Sequence, residues 1–344
     1  MKNLITANKP IVAALLLDTT DQFILEAAVF LANKLQAPLH LVHAVRPLFS
    51  YVGAGDIVVN PYSGYESRFT DAEEGEARSK LDAHRNSLRD LNGLLVTTDI
   101  VRDFPAEAIL NYAQEKDASL IVCGVRSPGE EHKSFLSGLS TGFTLAADAE
   151  VPVLLVPLSR TIPLGQSLRI LVADNLEGEG ERALDAGLWL ANALHAAQLT
   201  HVHVQNTTYS EIDKMIDSVR EGMLMGQIPS DPLLNRDYYM ERVRDQTREE
   251  LQRRVSRLDS EALNNTVYEP VVAFGHPAEA VHAEVLRSAS QLMIFGRHHL
   301  IRRKTMSLGR IPYHAMVEDG IATLVVPDAE LLTERSNGIE AGVS

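Results

Sequence analysis

The sequence predicts an α/β protein with two repeated domains, each a five-stranded parallel sheet covered by helices on both faces. Two observations lead to this class. First, short apolar runs alternate with amphipathic segments along the 344 residues, which is typical of parallel sheets whose strands are connected by helices. Second, matching segments occur in the same order in both halves of the chain, which indicates an internal repeat.

The repeat is visible in four pairs of short segments. In chain order they are residues 15–18 and 171–174 (LLLD and LVAD), 104–109 and 276–281 (FPAEAI and HPAEAV), 120–124 and 292–296 (LIVCG and LMIFG), and 153–157 and 323–327 (VLLVP and TLVVP). The first pair matches Asp18 with Asp174. The repeat predicts a first domain at residues 1–158, a second at residues 166–328 and a mobile tail at residues 329–344.

In the first half, apolar periodicity predicts the elements. The strands are expected at residues 11–17, 39–45, 94–101, 120–123 and 151–156. A helix at residues 21–36 carries Phe23 and Phe30 on one face. A charged helix is expected near residues 72–91. Pro105 opens the next helix, where its missing N–H costs no hydrogen bond.

The second half repeats this order but is longer between its first and third strands. Its strands are expected at residues 169–173, 201–204, 267–273, 292–295 and 323–326. The extra residues, mostly within 206–265, include a Met-bearing helical stripe. That stripe is either a lid or partner groove, or the face of a helix packed on its own core, which is the commoner case.

The last strand of each half is expected to contact the other. These strands, residues 151–156 and 323–326, would otherwise leave an open sheet edge, and edge strands need covering. The contact would join the two domains as an intramolecular pseudo-dimer, and a further homodimer stays open.

Charge and cysteine content exclude several classes of protein. The formal net charge is −14, which argues against a nucleic-acid binder because such a protein needs a broad basic face. The apolar run near the N-terminus ends at Asp18 and is too short to span a membrane. Cys123 is the single cysteine. It excludes an intramolecular disulfide and fits a reducing, cytoplasmic setting.

Candidate binding residues follow the predicted strands. Ligands of parallel α/β sheets bind at the carboxyl ends of the strands. Asp18 and Asp174 end the first strands of the two halves, and Gly124 and Gly296 end the fourth strands. The sequence therefore predicts an Asp and a Gly-led loop at the same sheet edge in each half.

The loop after Gly296 is basic in an acidic chain. Its basic residues within 296–310 are Arg297, Arg302, Arg303, Lys304 and Arg310, with no acidic residue among them. A loop between a strand and a helix presents backbone N–H groups to an anion. Two interpretations stay open at this point: a phosphate site and a solvated basic loop.

The element order, the P-A-E-A helix starts and the Gly-led loops resemble the universal stress protein family, and the doubled unit resembles its tandem members. The resemblance covers about residues 9–327. It implies a Rossmann-like, flavodoxin-like fold and a cytoplasmic stress-response protein that is mostly not an enzyme, with at most slow nucleotide hydrolysis. Many members bind ATP through a G-x2-G-x9-G-[ST] loop, with an Asp at the end of the first strand on the adenosine side.

The resemblance implies a degenerate site for ATP or AMP, which we expect in the second half. The spacing there is kept by Gly296, His299, Gly309 and Arg310, although His299 replaces a Gly and Arg310 replaces a Ser or Thr. Asp174 completes this candidate site.

The first-half candidates are Asp18, Gly124, Gly138 and Ser140, of which Gly138 and Ser140 are not at the family's spacing. The alternative is a scaffold that binds no nucleotide and acts through protein partners or another small ligand.

No catalytic or metal site is predicted. His201 and His203 have the spacing of neighbours on one face of a strand, as metal ligands would. Histidines that line the core or a pocket are commoner, and no third ligand is visible nearby. Asp18 and Asp174 each stand alone in their half, so paired acid–base chemistry has no second member.

Overall fold

The computed structural model describes residues 5, 8–46, 63–88, 93–126, 141–159, 167–231, 233–258, 263, 265–297 and 320–327. These residues form two compact units. Of the described residues, unit 1 contains those up to 159 together with Arg297 and residues 320–327. Unit 2 contains residues 167–296.

Unit 1 alternates strands and helices as the sequence predicts. Its elements are β1 (Ile11–Ala14), α1 (Asp21–Leu35), β2 (Leu39–Val45), α2 (Ser63–Leu88), β3 (Val96–Arg102), α3 (Pro105–Glu115), β4 (Leu120–Val125), α4 (Thr141–Asp148) and β5 (Val153–Pro157). The five strands lie in the order β3-β2-β1-β4-β5, and every neighbouring pair is parallel. The predicted five-stranded parallel sheet is therefore confirmed in this unit.

Unit 2 repeats the pattern, with two helices between its second and third strands. Its elements are β6 (Arg169–Ala173), α5 (Gly178–Leu194), β7 (Gln198–Gln205), α6 (Tyr209–Leu224), α7 (Arg236–Leu258), β8 (Val267–Phe274), α8 (Pro277–Ser288) and β9 (Leu292–Gly296). Its strands lie in the order β9-β6-β7-β8, and β6, β7, β8 and β9 pair in parallel. Helices α3 and α8 both begin at the proline of the P-A-E-A motif.

The last strand of the chain, β10 (Ala322–Val326), groups with unit 1. It pairs antiparallel with β5, so that Thr323 faces Leu155 and Val325 faces Val153. The predicted contact between residues 151–156 and 323–326 is therefore present. Its direction is antiparallel, unlike the pairing within each half.

Strand registers align the two halves residue by residue and correct the first of the sequence matches. Ala14 lies opposite Cys123 in β4, as Ala173 lies opposite Phe295 in β9. Cys123 and Phe295 occupy the same place in the matched LIVCG and LMIFG segments. The residue that follows Ala14 is Leu15, so Leu15 and not Asp18 is the counterpart of Asp174.

Backbone dihedral angles support the same alignment. Leu17 and Leu176 lie two residues after Leu15 and Asp174. Their φ values are 62° and 63°, an uncommon conformation for a non-glycine residue. The counterpart of Asp18 is therefore Glu177. The sequence match was wrong by three residues because LLLD and LVAD share a pattern that does not fix where the strand ends.

The hydrophobic core of each unit lies between its sheet and its helices. The four residues of β1 are buried, and α1 turns an apolar face that includes Ile24, Leu31 and Leu35 toward the interior. Cys123 is buried in β4, and burial raises the pKa of its thiol to about 12. This thiol is therefore un-ionised at neutral pH and is not a nucleophile.

The Met-bearing stripe of the second half packs on its own small core. Ile212 and Ile216 of α6 form a buried cluster with Met240 of α7, and Phe274 at the end of β8 packs against it. The interpretation as a packed helix face therefore holds for these residues. In the described parts of the chain, no helix is both long and apolar enough to cross a membrane.

Helix α6 begins at a capping box that can be tested. The Thr208 hydroxyl accepts a hydrogen bond from the Glu211 backbone N–H, and the Glu211 carboxylate accepts one from the Thr208 backbone N–H at 2.7 Å. We expect Thr208→Ala to lower the free energy of unfolding by about 1 kcal/mol, measured by urea denaturation. Thr207→Ala is the control, because Thr207 lies outside the capping box. Equal losses in both variants would contradict this role of Thr208.

Candidate functional site

Asp174 is the centre of a buried polar cluster at the carboxyl end of β6. Its carboxylate is fully shielded from solvent. Oδ1 accepts a hydrogen bond from the Leu176 backbone N–H at 2.7 Å, and Oδ2 contacts His201 Nε2 at 2.9 Å. The guanidinium of Arg254 reaches both oxygens, at 3.3 and 3.4 Å. Both oxygens of the predicted adenosine-side carboxylate are thus occupied by the protein itself.

His201 links this carboxylate to a tyrosine. The imidazole is fully buried on β7, and its second nitrogen, Nδ1, contacts the hydroxyl of Tyr268 on β8 at 2.9 Å. His203, two residues along β7, contacts the Asp174 backbone carbonyl through Nδ1 at 2.8 Å. Both ring nitrogens of His201 are used within the protein. The described residues contain no group of metal-ligating side chains that could hold an ion.

Arg254 on α7 is the cation of the cluster, and it is 7% exposed. Besides Asp174, it donates hydrogen bonds to two backbone carbonyls, from Nη1 to Glu177 at 3.0 Å and from Nη2 to Leu176. Its Nε is buried and has no hydrogen-bond partner among the described residues. A guanidinium can bind a carboxylate and two carbonyls together because it presents several N–H donors in one plane.

Burial and hydrogen bonding act in opposite directions on Asp174. Burial raises the pKa of its carboxyl group, but the hydrogen bond and charge of His201, the N–H of Leu176 and the charge of Arg254 outweigh it. The pKa therefore lies below its ordinary value. Asp174 is ionised at neutral pH, and its buried charge needs the nearby cation.

Unit 1 places a carboxylate in the corresponding space from a different element. Leu15 stands at the strand end, and the carboxylate comes instead from Asp21 at the start of α1, which is fully buried. Asp21 accepts hydrogen bonds from the backbone N–H groups of Leu16 and Leu17 at 2.8 and 2.9 Å. His84 Nε2 on α2 lies 3.4 Å away. Burial raises the pKa of Asp21, although these N–H groups and His84 oppose that shift.

Gly180 explains why the two units differ. By the alignment above, Gly180 of α5 is the counterpart of Asp21. A Cβ at Gly180 would lie 1.9 Å from Asp174 Oδ1, so a side chain there is incompatible with the Asp174 carboxylate. Each unit therefore has room for one buried carboxylate at this place, supplied by the helix start in unit 1 and by the strand end in unit 2.

Asp18 is not part of the Asp21 cluster. It is exposed at the surface of unit 1, where it accepts hydrogen bonds from Thr20 and pairs with Arg126 at 2.6 Å. Burial raises the pKa of Asp18, but Thr20 and Arg126 outweigh it and hold the pKa below its ordinary value. The structure therefore does not bring Asp18 and Asp174 to equivalent positions.

The two strand-end glycines have packing reasons to be glycine. A Cβ at Gly296 would lie 2.1 Å from the backbone oxygen of Glu179 in the first turn of α5. A Cβ at Gly124 would lie 2.6 Å from a methyl carbon of Leu158. Gly296 thus lets the start of α5 approach the end of β9. Neither observation requires a bound phosphate.

Arg297 is the one member of the basic loop within the described residues. It is 7% exposed, and its Nη1 donates hydrogen bonds to the carbonyls of Ala146, Ala147 and Ala149 at 3.3, 2.8 and 2.9 Å. These carbonyls lie at the C-terminal end of α4, where a cation is favourable. Arg297 is therefore a buried side chain at the end of α4 and not part of a solvated loop.

Several predicted site residues fall outside the described residues. These are Gly138, Ser140, His299, Gly309 and Arg310. Their assignment remains a prediction from the sequence.

Sequence reasoning missed Arg254, Asp21 and His84. One signal was available for Arg254: it lies three residues after Leu251 and four before Leu258, so it falls on the apolar stripe of α7. A charged residue on an apolar helical stripe is expected to meet a buried partner. Nothing in the sequence identified that partner as Asp174.

Removing Arg254 would leave Asp174 buried without a counter-charge. We expect Arg254→Ala to lower the free energy of unfolding by about 3–5 kcal/mol, the usual cost of breaking a buried ion pair from one side. Urea denaturation at neutral pH measures this. Arg253→Ala is the matched control, since Arg253 is exposed and pairs with Glu249 and Glu250 on the surface. Similar stability of the two variants would show that the Asp174 pair is weak.

Gly296 offers a second test at the same sheet edge. We expect Gly296→Ala to lower the free energy of unfolding by about 1–3 kcal/mol, because its methyl group would overlap the Glu179 backbone. Gly178→Ala serves as the control, since a Cβ there meets nothing within 4 Å. If Gly296→Ala retains full stability in thermal unfolding, the close approach of α5 is not a constraint.

Comparisons with known proteins agree with this architecture. Residues 7–157 match the universal stress protein family, and no curated protein matches the sequence. A universal stress protein from Archaeoglobus fulgidus DSM 4304 has a TM-score of 0.57 at 14% identity, covering 94% of this chain and 98% of its own. A putative universal stress protein from Pseudomonas aeruginosa UCBPP-PA14 has a TM-score of 0.54 at 13% identity, covering 97% and 98%.

These solved structures share the fold over nearly the full length of this chain. The sequence match to the family lies in the first half, and the second half repeats the same order of strands and helices. Residues 7–157 are therefore a universal stress protein domain, and a second α/β unit of the same fold follows it.

Proposed function

We propose that this protein is a stress-response binding module that acts through partners, and that its strand-end positions do not receive an adenine nucleotide. One observation carries the proposal: the carboxylate of Asp174 is fully buried and is already bound by Arg254 and His201. A ligand can use this carboxylate only by displacing a buried arginine. This is the scaffold alternative that the sequence left open.

Unit 1 supports the same conclusion by a different route. Leu15 occupies the strand-end position, and a leucine side chain accepts no hydrogen bond from an adenosine. The carboxylate of Asp21 in the corresponding space is buried and bound by two backbone N–H groups. Asp18 is exposed but pairs with Arg126. Among the described residues, no free carboxylate is therefore offered at the position where the family places its Asp.

The cluster also supports a binding protein rather than an enzyme. Asp174 and His201 form a His–Asp side-chain pair, and both side chains are fully shielded from solvent. A general acid or base must reach the proton that it transfers, and this pair has no surface open to a substrate. The single buried thiol of Cys123 fits the reducing cytoplasmic setting proposed for this chain.

A nucleotide-binding switch is the second candidate, with its ATP or AMP site in unit 2. One observation favours it: the buried Nε of Arg254 has no partner among the described residues. An incompletely satisfied arginine is less costly to displace than one with every donor used. In this version the nucleotide would displace Arg254 from Asp174, and α7 would carry the change to a partner.

Calorimetric titration of the full chain with ATP and with AMP separates the two candidates. At low and at physiological salt, we expect no binding heat and no rise in melting temperature at millimolar nucleotide. Binding at one site per chain that Asp174→Asn removes would overturn the scaffold proposal in favour of the switch. Binding that Asp174→Asn leaves intact would place a nucleotide elsewhere and also overturn it.

A further inference from the structure

The acceptors around Arg254 form a site of their own. The Asp174 carboxylate and the backbone carbonyls of Leu176 and Glu177 all face the guanidinium. Every one of these groups accepts hydrogen bonds and none donates. The carboxylate is also held from its other side by the Leu176 N–H and by His201, so its position does not depend on Arg254 alone.

Charge decides what such a site prefers. The carboxylate is buried and ionised, and a buried charge without a counter-charge is costly. A neutral donor, such as the exocyclic amine of adenine, would satisfy hydrogen bonds but leave the negative charge unbalanced. A cation satisfies both. The three acceptors surround a planar group, and a guanidinium matches them with several donors in one plane, whereas an ammonium is a point charge.

Unit 1 shows that this acceptor set is specific to unit 2. There the buried carboxylate of Asp21 is bound by two backbone N–H groups, and the nearby side chain is that of His84. Among the described residues, the His84 ring donates no hydrogen bond to a backbone carbonyl. Among the described residues, the cluster of unit 2 therefore differs from that of unit 1 in combining a buried carboxylate with two backbone carbonyl acceptors.

We propose that the strand end of unit 2 is a guanidinium-binding site, occupied from within by Arg254, and that its ligand class is a molecule bearing a guanidinium group. This proposal rests on the proposed function in one respect, namely that Arg254 and not a nucleotide binds the Asp174 carboxylate. In the intact chain, Arg254 acts as a built-in occupant. A guanidinium ligand binds when α7 withdraws that side chain.

Chemical rescue of the full-length Arg254→Ala variant tests the site, with methylguanidinium as the probe. At a concentration a few times its dissociation constant, methylguanidinium should raise the melting temperature of this variant by about 2–4 °C. The parent and the Arg253→Ala control should show no rise, because Arg254 fills the site in both. Methylammonium at equal concentration should give a clearly smaller rise, and AMP none.

Three results would overturn the inference. They are no rescue by methylguanidinium, equal rescue by methylammonium, and rescue by AMP alone. The last would identify a latent purine site, yet the proposed function would stand as long as the parent binds no nucleotide. Conversely, ATP binding to the parent would contradict the proposed function, whatever result the Arg254→Ala variant gives.

If Arg254→Ala does not fold, refolding yield replaces the melting temperature as the measurement. Methylguanidinium added during refolding should restore soluble variant, and methylammonium should restore less. Equal recovery with both ions would overturn guanidinium selectivity. The Arg253→Ala control should refold equally well with and without either ion.

Discussion

Each unit has one buried carboxylate beside the carboxyl end of its first strand, and that charge must be satisfied within the protein. In unit 2 the carboxylate belongs to Asp174, and its charge is balanced by Arg254 and hydrogen-bonded by His201. The pair connects the end of β6 to α7, which otherwise packs mainly on β8 and α6. Burying both groups together is tolerable because hydrogen bonds satisfy the carboxylate and most of the guanidinium, whereas either group alone would be a large penalty.

Unit 1 meets the same requirement with other residues. Asp21 reaches the corresponding space from the start of α1, backbone N–H groups take the place of a guanidinium fork, and His84 lies nearby. Burial raises the pKa of Asp21, while the pKa of Asp174 is lowered by its partners despite burial. The pKa values of the two buried carboxylates are therefore shifted in opposite directions.

The sequence predicted the fold well but matched the wrong residue of the first half with Asp174. The alternation of strands and helices, the helix starts at Pro105 and Pro277, and the contact between the last strands all appear in the structure. Those features follow from local apolar periodicity and from proline's missing N–H, which a sequence displays directly. The match of Asp18 with Asp174 failed because two similar tetrapeptides can be aligned without knowing which hydrogen bonds the strands make. Arg297, assigned to a basic loop, instead caps the C-terminal end of α4.

The sequence alone was sufficient for the repeat, the α/β class and the family, because these depend on patterns that recur along the chain. It also contained the chemical groups of the site, Asp174 and Arg254, eighty residues apart. The tertiary structure was needed to show that these two side chains meet and that Gly180 leaves the space for them. The physical reason is that a buried ion pair depends on distance and desolvation in three dimensions. Neither the distance nor the desolvation can be read from the order of residues. For this reason Asp174, which the sequence suggested as a ligand acceptor, proved to be bound by Arg254 of its own chain.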